Sequence, residues 1–123
     1  MAANILIVED DPLNRYLICK VLRYEGYQIV EASDGAEALE LLCAQRFDLV
    51  ITDFVMPKLN GRKFIEQLHF LHPRIPVIFI TAYRSVISGK AILDDVAEVL
   101  SKPFELNVLR STVQRLLRDS ALC

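Results

Sequence analysis

Short apolar segments recur along the chain at similar distances. They cover residues 5–8, 27–31, 49–52, 77–80 and 98–100. Residues 5–8, 49–52 and 77–80 are nearly unbroken runs of β-branched and other apolar side chains, which is typical of strands buried on both faces. The pattern therefore predicts five short strands.

Between the strands, apolar residues recur at the spacing of helices. The clear sets are Leu13, Leu17 and Val21 with Ile18 and Leu22 beside them; Ala36, Leu39, Leu42 and Cys43; Phe64, Ile65, Leu68 and Leu71; and Leu106, Leu109, Val113, Leu116 and Leu117. Residues 85–93 fit a further helix less well, because Gly89 interrupts them. Each strand is thus expected to be followed by a helix.

Helix ends carry their own sequence signals. Asp11 before Pro12 is typical of an N-cap followed by the first helical residue. Gly26 is expected to end that helix, and Pro73 is expected to end the third one.

The alternation of strands and helices predicts the fold class. Connections of helix length between strands imply right-handed βαβ units and a parallel sheet. We expect an α/β fold with a doubly wound five-stranded parallel sheet, flavodoxin-like order 2-1-3-4-5, and helices on both faces. In such sheets a ligand binds beyond the carboxyl ends of the strands, where the strand order reverses.

Composition narrows the class of protein. The chain has 123 residues, of which 53% are hydrophobic, which fits one domain with a substantial core. A formal net charge of −2 gives no reason to expect direct nucleic-acid binding, and Arg110, Arg115 and Arg118 are interpreted as a solvated helix face. No signal peptide or membrane-spanning run is evident, so we expect a cytoplasmic protein without a membrane partner.

The cysteines and histidines do not indicate a metal site. Cys19, Cys43 and Cys123 are odd in number and lack metal-ligand spacing, so free thiols are expected. His69 and His72 stand beside Pro73 in an expected loop, without a second ligand cluster.

Polar side chains follow four of the five predicted strands. Glu9, Asp10 and Asp11 follow the first strand, Asp53 the third, Thr81 the fourth and Lys102 the fifth. Because the carboxyl ends of parallel strands meet at one edge of a sheet, these groups should converge there.

Converging carboxylates need an opposite charge. Two carboxylates 4 Å apart repel by roughly 4 kcal/mol at an effective dielectric constant near 20. A Mg²⁺ ion held by carboxylates, waters and a phosphate would offset this repulsion. Together with a hydroxyl and an amine, such a site suits phosphoryl transfer, in which an aspartate can itself accept the group as an acyl phosphate.

In this order and spacing the motifs resemble the receiver domain of a two-component response regulator. The matching residues are 5–11 (Ile-Leu-Ile-Val-Glu-Asp-Asp), Asp53 with Met56 and Pro57, Asn60 and Gly61, Thr81 and Ala82, and Lys102 with Pro103 and Phe104. The resemblance covers essentially the whole chain. It implies a single receiver domain over residues 1–123, without an output domain in this chain, that acts in phosphorelay signalling. A stand-alone receiver and a fragment of a larger regulator or hybrid kinase both remain open.

The resemblance also implies a role for each site residue. Asp53 would accept a phosphoryl group from a sensor histidine kinase or phosphotransfer protein. Asp10 and Asp53 would bind Mg²⁺ directly, Glu9 through water, and Val55 through its carbonyl, which leaves Asp11 as a helix cap. Thr81 and Lys102 would contact the phosphoryl oxygens, with a cis bond before Pro103. The protein would catalyse only its own phosphorylation and dephosphorylation.

Phosphorylation would then change a surface of the domain. Thr81 would move inward and alter the face formed by the fourth predicted helix, the fifth strand and the last helix. That face would be read by a downstream protein, with the receiver as a monomer or a phosphorylation-dependent dimer.

The sequence departs from the family at the switch. The position three residues before Lys102, usually aromatic, is Val99. Val99 either simply packs at the sheet edge or marks altered output coupling. Tyr83 is a candidate gate for water or partner access to the site, and both interpretations of Val99 stay open.

Two other functions compete with this one. The first is an interaction module of the same fold that no longer takes phosphate. The second is a magnesium phosphohydrolase, which often carries a second aspartate two residues after the first, where this chain has Val55. A flavin-binding module is disfavoured, because no phosphate-binding loop rich in Gly, Ser or Thr follows the first strand.

Overall fold

Five strands and four helices form within residues 2–53, 61–81 and 98–121, which are the residues that the computed structural model describes. In chain order they are β1 (Asn4–Val8), α1 (Pro12–Tyr24), β2 (Gln28–Ala32), α2 (Gly35–Ala44), β3 (Leu49–Asp53), α3 (Gly61–Leu71), β4 (Val77–Thr81), β5 (Glu98–Ser101) and α4 (Leu106–Ala121). The helix predicted at residues 85–93, Val55 and Tyr83 lie outside the described residues.

All five strands run parallel in the order β2-β1-β3-β4-β5. The predicted fold class and strand order are therefore confirmed. The order reverses between β1 and β3, whose last paired residues are Val8 and Thr52. Glu9 and Asp53, the next residues along each strand, consequently lie side by side at the carboxyl edge of the sheet.

The sheet is covered on both faces. Along β1, Leu6 and Val8 join the core beneath α2 and α3, whereas Ile5 and Ile7 join the core beneath α1 and α4. Every residue of β3 and β4 is buried. The unbroken apolar runs thus have the predicted cause, which is burial from two sides.

The predicted inner faces of two helices are wrong in part. In α1, Leu13 is 65% and Leu17 is 39% exposed, while Ile18, Cys19 and Leu22 form the buried side. In α2, Leu42 is buried as predicted, but Ala36 and Cys43 are exposed and Ala38 is buried instead. Apolar spacing allows more than one stripe on such helices, and the neighbouring sheet determines which stripe is buried.

The helix-end signals are confirmed. Asp11 caps α1, because its Oδ1 accepts a 3.0 Å hydrogen bond from the Leu13 amide, and Pro12 is the first helical residue. Gly26 follows the helix with φ of 94°, a conformation that glycine adopts without strain.

The basic residues of α4 lie at the surface, as expected. Arg115 and Arg118 are exposed, and Arg115 pairs with Glu98 at 2.7 Å. In the described part of the chain, no helix combines the length and apolar character needed to cross a membrane.

Candidate functional site

The sheet brings the predicted polar residues to one edge. Glu9 and Asp10 follow β1, Asp53 ends β3, Thr81 ends β4, and Lys102 follows β5. One carboxylate oxygen from each of Glu9, Asp10 and Asp53 lies within 4.8 Å of the others. Residues far apart in the sequence thus form one acidic cluster.

Lys102 holds two of these carboxylates. Its Nζ donates to Asp53 Oδ2 at 2.8 Å and lies 3.3 Å from Glu9 Oε2. The Lys102 main-chain amide also donates to the Thr81 carbonyl at 2.8 Å, which fixes the start of the Lys102 loop against β4. The Lys102–Pro103 peptide bond is cis, as the resemblance implied.

Burial and charge shift the titration of this group. Glu9 is only 2% exposed, and burial raises its pKa, with a smaller contribution from the charge of Asp53 and an opposing one from Lys102. Burial acts to lower the pKa of Lys102, but the carboxylates of Asp53 and Glu9 outweigh it and the pKa is raised. The raised pKa of Lys102 indicates that the carboxylates favour positive charge here, whereas the raised pKa of Glu9 reflects mainly its burial.

The donor set fits a hard divalent cation. Three carboxylates and one ammonium leave a formal charge of −2, which one such ion would balance. All the side-chain donors are oxygens, and Asp10 is exposed, so bound water can complete the coordination. The cluster of Glu9, Asp10 and Asp53 could therefore hold Mg²⁺.

Asp11 is a helix cap and lies outside this cluster. Its Oδ1 accepts from the Leu13 amide, and its Oδ2 accepts from Asn14 Nδ2 at 3.2 Å. Both carboxylate oxygens are thus engaged at the start of α1, in agreement with the predicted role.

Thr81 is fully buried at the end of β4, one strand away from Asp53. The register pairs Asp53 with Ile80, so Thr81 stands one residue further toward the carboxyl edge. This placement agrees with its predicted position beside Asp53.

Val99 lies inside the protein. It is 8% exposed on the edge strand β5 and belongs to the core that also contains Val77 and Phe79. Its burial fits the interpretation that it packs at the sheet edge. Tyr83, the other proposed switch residue, and the Val55 carbonyl are not among the described residues.

Arg15 contacts the site but was not predicted from the sequence. Its Nη1 donates to the Glu9 carbonyl oxygen at 2.8 Å. The available signal was a cation one helical turn after the acidic residues, and its target is a main-chain atom that the sequence does not reveal.

Both histidines, Cys19 and Cys43 lie outside the acidic cluster, and Cys123 is not among the described residues. His69 belongs to the end of α3, not to a loop as expected, and its Nε2 lies 3.3 Å from the Ile75 carbonyl oxygen. His72 Nε2 lies 2.8 Å from the Leu42 carbonyl oxygen. Cys19 and Cys43 are free thiols, as expected, and burial raises the pKa of Cys19 to about 12.

Comparison with known families decides the class of protein. Residues 5–114 match the family described as the response regulator receiver domain, which is most of the chain. The chain belongs to this family. The resemblance seen in the sequence is confirmed, and the domain is a receiver of two-component phosphorelay signalling.

Individual relatives agree with this assignment. The receiver is 37% identical over 123 residues to the response regulator MprA of Mycobacterium ulcerans. The alignment covers 99% of this chain and 53% of that protein. It thus spans about half the length of the curated relatives it matches.

Solved structures share the fold closely. The chemotaxis response regulator CheY4 of Vibrio cholerae is 30% identical with a TM-score of 0.85, over 94% of this chain and 99% of that one. TrrA of Thermotoga maritima, solved in complex with Mg(2+)-BeF, is 32% identical with a TM-score of 0.82, over the same 94% and 99%.

Proposed function

We propose that this receiver takes a phosphoryl group onto Asp53 in a Mg²⁺-dependent reaction, from a phosphohistidine of a sensor kinase or phosphotransfer protein. The observation that carries the proposal is the 2.8 Å contact between Lys102 Nζ and Asp53 Oδ2, beside the carboxylates of Glu9 and Asp10. A nucleophile, a cation and a metal-binding group thus occur together at the sheet edge.

The transfer follows from these groups. An Asp53 carboxylate oxygen attacks phosphorus, the bond from phosphorus to the histidine nitrogen breaks, and the imidazole leaves with the electron pair. Lys102 then pairs with a phosphoryl oxygen, and the Thr81 hydroxyl donates to another. The product is an aspartyl phosphate.

Bound Mg²⁺ would offset the charge that gathers on the phosphoryl oxygens. Asp10 and Asp53 would hold the ion directly, Glu9 would hold it through water, and the Val55 carbonyl would complete the set. Glu9 suits the indirect role, because it is buried and already lies 3.3 Å from Lys102.

The phosphodonor is proposed to dock on the exposed apolar row of α1. Leu13 and Leu17 are exposed on this helix, and Leu17 shares a cleft with Lys102 and Phe104. A histidine-bearing helix seated there would bring its phosphoryl group to the acidic edge without crossing the sheet.

The output is proposed to be a changed surface for a downstream protein. The charge added at Asp53 would draw Thr81 inward and alter the face that includes β5 and α4. A monomer or a phosphorylation-dependent dimer could present this face. The proposed location is the cytoplasm, with which the free thiols of Cys19 and Cys43 agree.

Intact mass spectrometry tests the proposal. The parent, Asp53→Asn and Asp48→Asn are incubated with acetyl phosphate, with Mg²⁺ or with EDTA. Asp48 is a matched control, because it is exposed just before the opposite end of the same strand. We expect one Mg²⁺-dependent phosphoryl adduct in the parent and in Asp48→Asn, and none in Asp53→Asn.

Two outcomes would overturn the proposal. An adduct that persists in Asp53→Asn would mean that another residue is the acceptor. A parent that takes no phosphoryl group from acetyl phosphate or from phosphorylated histidine kinases would instead favour the phosphate-independent interaction module.

A further inference from the structure

Arg15 joins α1 to the main chain of the acidic site. Its Nη1 donates to the Glu9 carbonyl oxygen at 2.8 Å, and its Nε pairs with Glu31 Oε1 at 3.2 Å. The side chain is 23% exposed, so both contacts are partly shielded from solvent. One guanidinium therefore binds the end of β1 and the neighbouring strand β2 at once.

The Glu9 carbonyl belongs to the peptide unit that leads into Asp10, so a contact with it bears on the position of Asp10. The peptide unit that contains this oxygen also contains the Asp10 nitrogen, and such a unit is planar and rigid. At the other side of Glu9, its amide donates to the Ala32 carbonyl at 3.1 Å. The main chain that carries Asp10 into the cluster is thus fixed before and after Glu9.

Glu31 keeps Arg15 in place. Its Oε1 accepts from Arg15, and its Oε2 accepts from Arg23 Nη2 at 3.2 Å, two turns further along α1. Arg23 shares the partner and the charge of Arg15 but is itself 52% exposed. Within the described part of the chain its guanidinium pairs with Glu31 and not with the Glu9 carbonyl, so it provides an internal comparison for Arg15.

We propose that Arg15 is a positioning residue for the divalent cation of this receiver. It holds the Glu9–Asp10 peptide so that the Asp10 carboxylate faces those of Glu9 and Asp53. The inference rests on the proposed function, because it assigns Arg15 to the same Mg²⁺ site. Asp10 is the exposed member of the cluster, so its direction depends most on its main chain.

Loss of the Arg15 charge and loss of its hydrogen bond should change the Mg²⁺ affinity in opposite directions. A guanidinium repels Mg²⁺, so removal of its charge alone would tighten Mg²⁺ binding. Loss of the bond to the Glu9 carbonyl would loosen binding, since groups that orient metal ligands typically change affinity by about 10–100-fold. The direction of the change therefore separates the two effects.

Calorimetric titration with Mg²⁺ alone, without a phosphodonor, tests the proposal. The proteins are the parent, Arg15→Gln, Arg15→Lys and the matched control Arg23→Gln. We expect Arg15→Gln to bind Mg²⁺ about tenfold more weakly than the parent, and Arg23→Gln to stay within about twofold. Arg15→Lys should lie between Arg15→Gln and the parent, because it can still donate one hydrogen bond.

A second readout separates positioning from general damage. At saturating Mg²⁺, the rate of adduct formation from acetyl phosphate in Arg15→Gln should approach that of the parent, while the half-saturating Mg²⁺ concentration rises. Urea unfolding in EDTA checks that each variant folds. If Arg15→Gln does not fold, Arg15→Lys is compared with Arg23→Lys.

The outcomes distinguish this inference from the proposed function. If the parent binds Mg²⁺ but the Arg15 variant binds it as tightly as the matched Arg23 variant, or more tightly, the role of Arg15 is overturned and the phosphoacceptor site stands. If the parent itself binds no Mg²⁺, both proposals are overturned.

Discussion

Lys102 supplies the positive charge that offsets the carboxylates of Asp53 and Glu9. Its ammonium lies 2.8 Å from an Asp53 oxygen and 3.3 Å from a Glu9 oxygen. Glu9 is almost fully buried, so its carboxylate depends on this partner when no metal is bound. A divalent cation would also stabilise the Glu9 carboxylate. The positive charge of Lys102 would at the same time repel that cation.

Lys102→Met should therefore have two opposite effects. In EDTA the free energy of unfolding should fall by roughly 2–3 kcal/mol, somewhat below the values for fully buried pairs, because Lys102 is partly exposed. Mg²⁺ binding should tighten, because a repelling charge is lost. Urea unfolding with and without Mg²⁺ measures both effects.

Lys20→Met serves as the control for Lys102→Met, since Lys20 is an exposed lysine near the Tyr16 ring. Equal unfolding midpoints for Lys102→Met and the parent in EDTA would show that the ion pairs do not stabilise the fold.

Glu9 should give the stability of the metal-free protein a distinctive pH dependence. Its pKa is raised in the folded state, chiefly by burial, so the folded protein holds this proton to a higher pH than the unfolded chain. Stability from this group is present at low pH and is lost as the pH rises through the raised pKa.

Glu9→Gln replaces the ionisable carboxyl with a neutral amide, so the variant should not lose stability from this position as the pH rises. In EDTA, the free energy of unfolding of the variant minus that of the parent should be larger at about pH 7 than at about pH 4.5. Urea unfolding at the two pH values measures the difference. A difference that stays constant or shrinks as the pH rises would rule out the raised pKa.

The residues of the site differ in how well the sequence reveals them. Glu9, Asp10 and Lys102 were predictable, because each lies within two residues of the end of a strand and parallel strand ends meet at one edge. Arg15 was not, because it binds a main-chain carbonyl and a residue on the next strand.

Among the helices, α1 shows that apolar spacing alone does not determine which residues are buried. Leu13 and Leu17 are spaced as an inner face should be, yet the sheet packs against Ile18 and Leu22. The exposed apolar row begins next to the acidic site, and Leu17 lines a cleft with Lys102 and Phe104. An apolar row left at the surface beside a reactive group is a reasonable docking face.

Leu17→Ser tests that docking face. Transfer from a phosphorylated histidine kinase should slow by about tenfold, because an apolar contact of the proposed docking face is lost. The rate with acetyl phosphate should not change, because a small donor needs no docking face. Rapid-quench assays with the two donors measure both rates.

Phe70→Ser is the control for Leu17→Ser. Phe70 is 86% exposed near the end of α3, away from the carboxyl edge of the sheet. Equal slowing of the kinase reaction by both substitutions, or none by Leu17→Ser, would remove α1 as the docking face.

At the scale of the whole molecule, the fold was predictable because separate signals agree. Unbroken apolar runs mark strands covered from two sides, and helix-length connections make the sheet parallel. The choice of buried stripe on α1 and α2 was not predictable, because it depends on the twist and distance of the sheet beneath each helix. The fold thus follows from the apolar pattern of the sequence. Which helix residues remain at the surface follows from how each helix packs on the sheet.

Asp53 is proposed to be the residue that carries the phosphoryl group. Borohydride reduces an acyl phosphate to an alcohol, so a phosphorylated aspartate becomes homoserine. The parent is treated with acetyl phosphate and Mg²⁺, reduced and digested, and the modified residue is located by peptide mass spectrometry. We predict homoserine at position 53 only when Mg²⁺ is present. Homoserine at position 10 or 11 instead, or no homoserine in a protein that shows the phosphoryl adduct by intact mass, would show that the phosphoryl group is not carried as an acyl phosphate on Asp53.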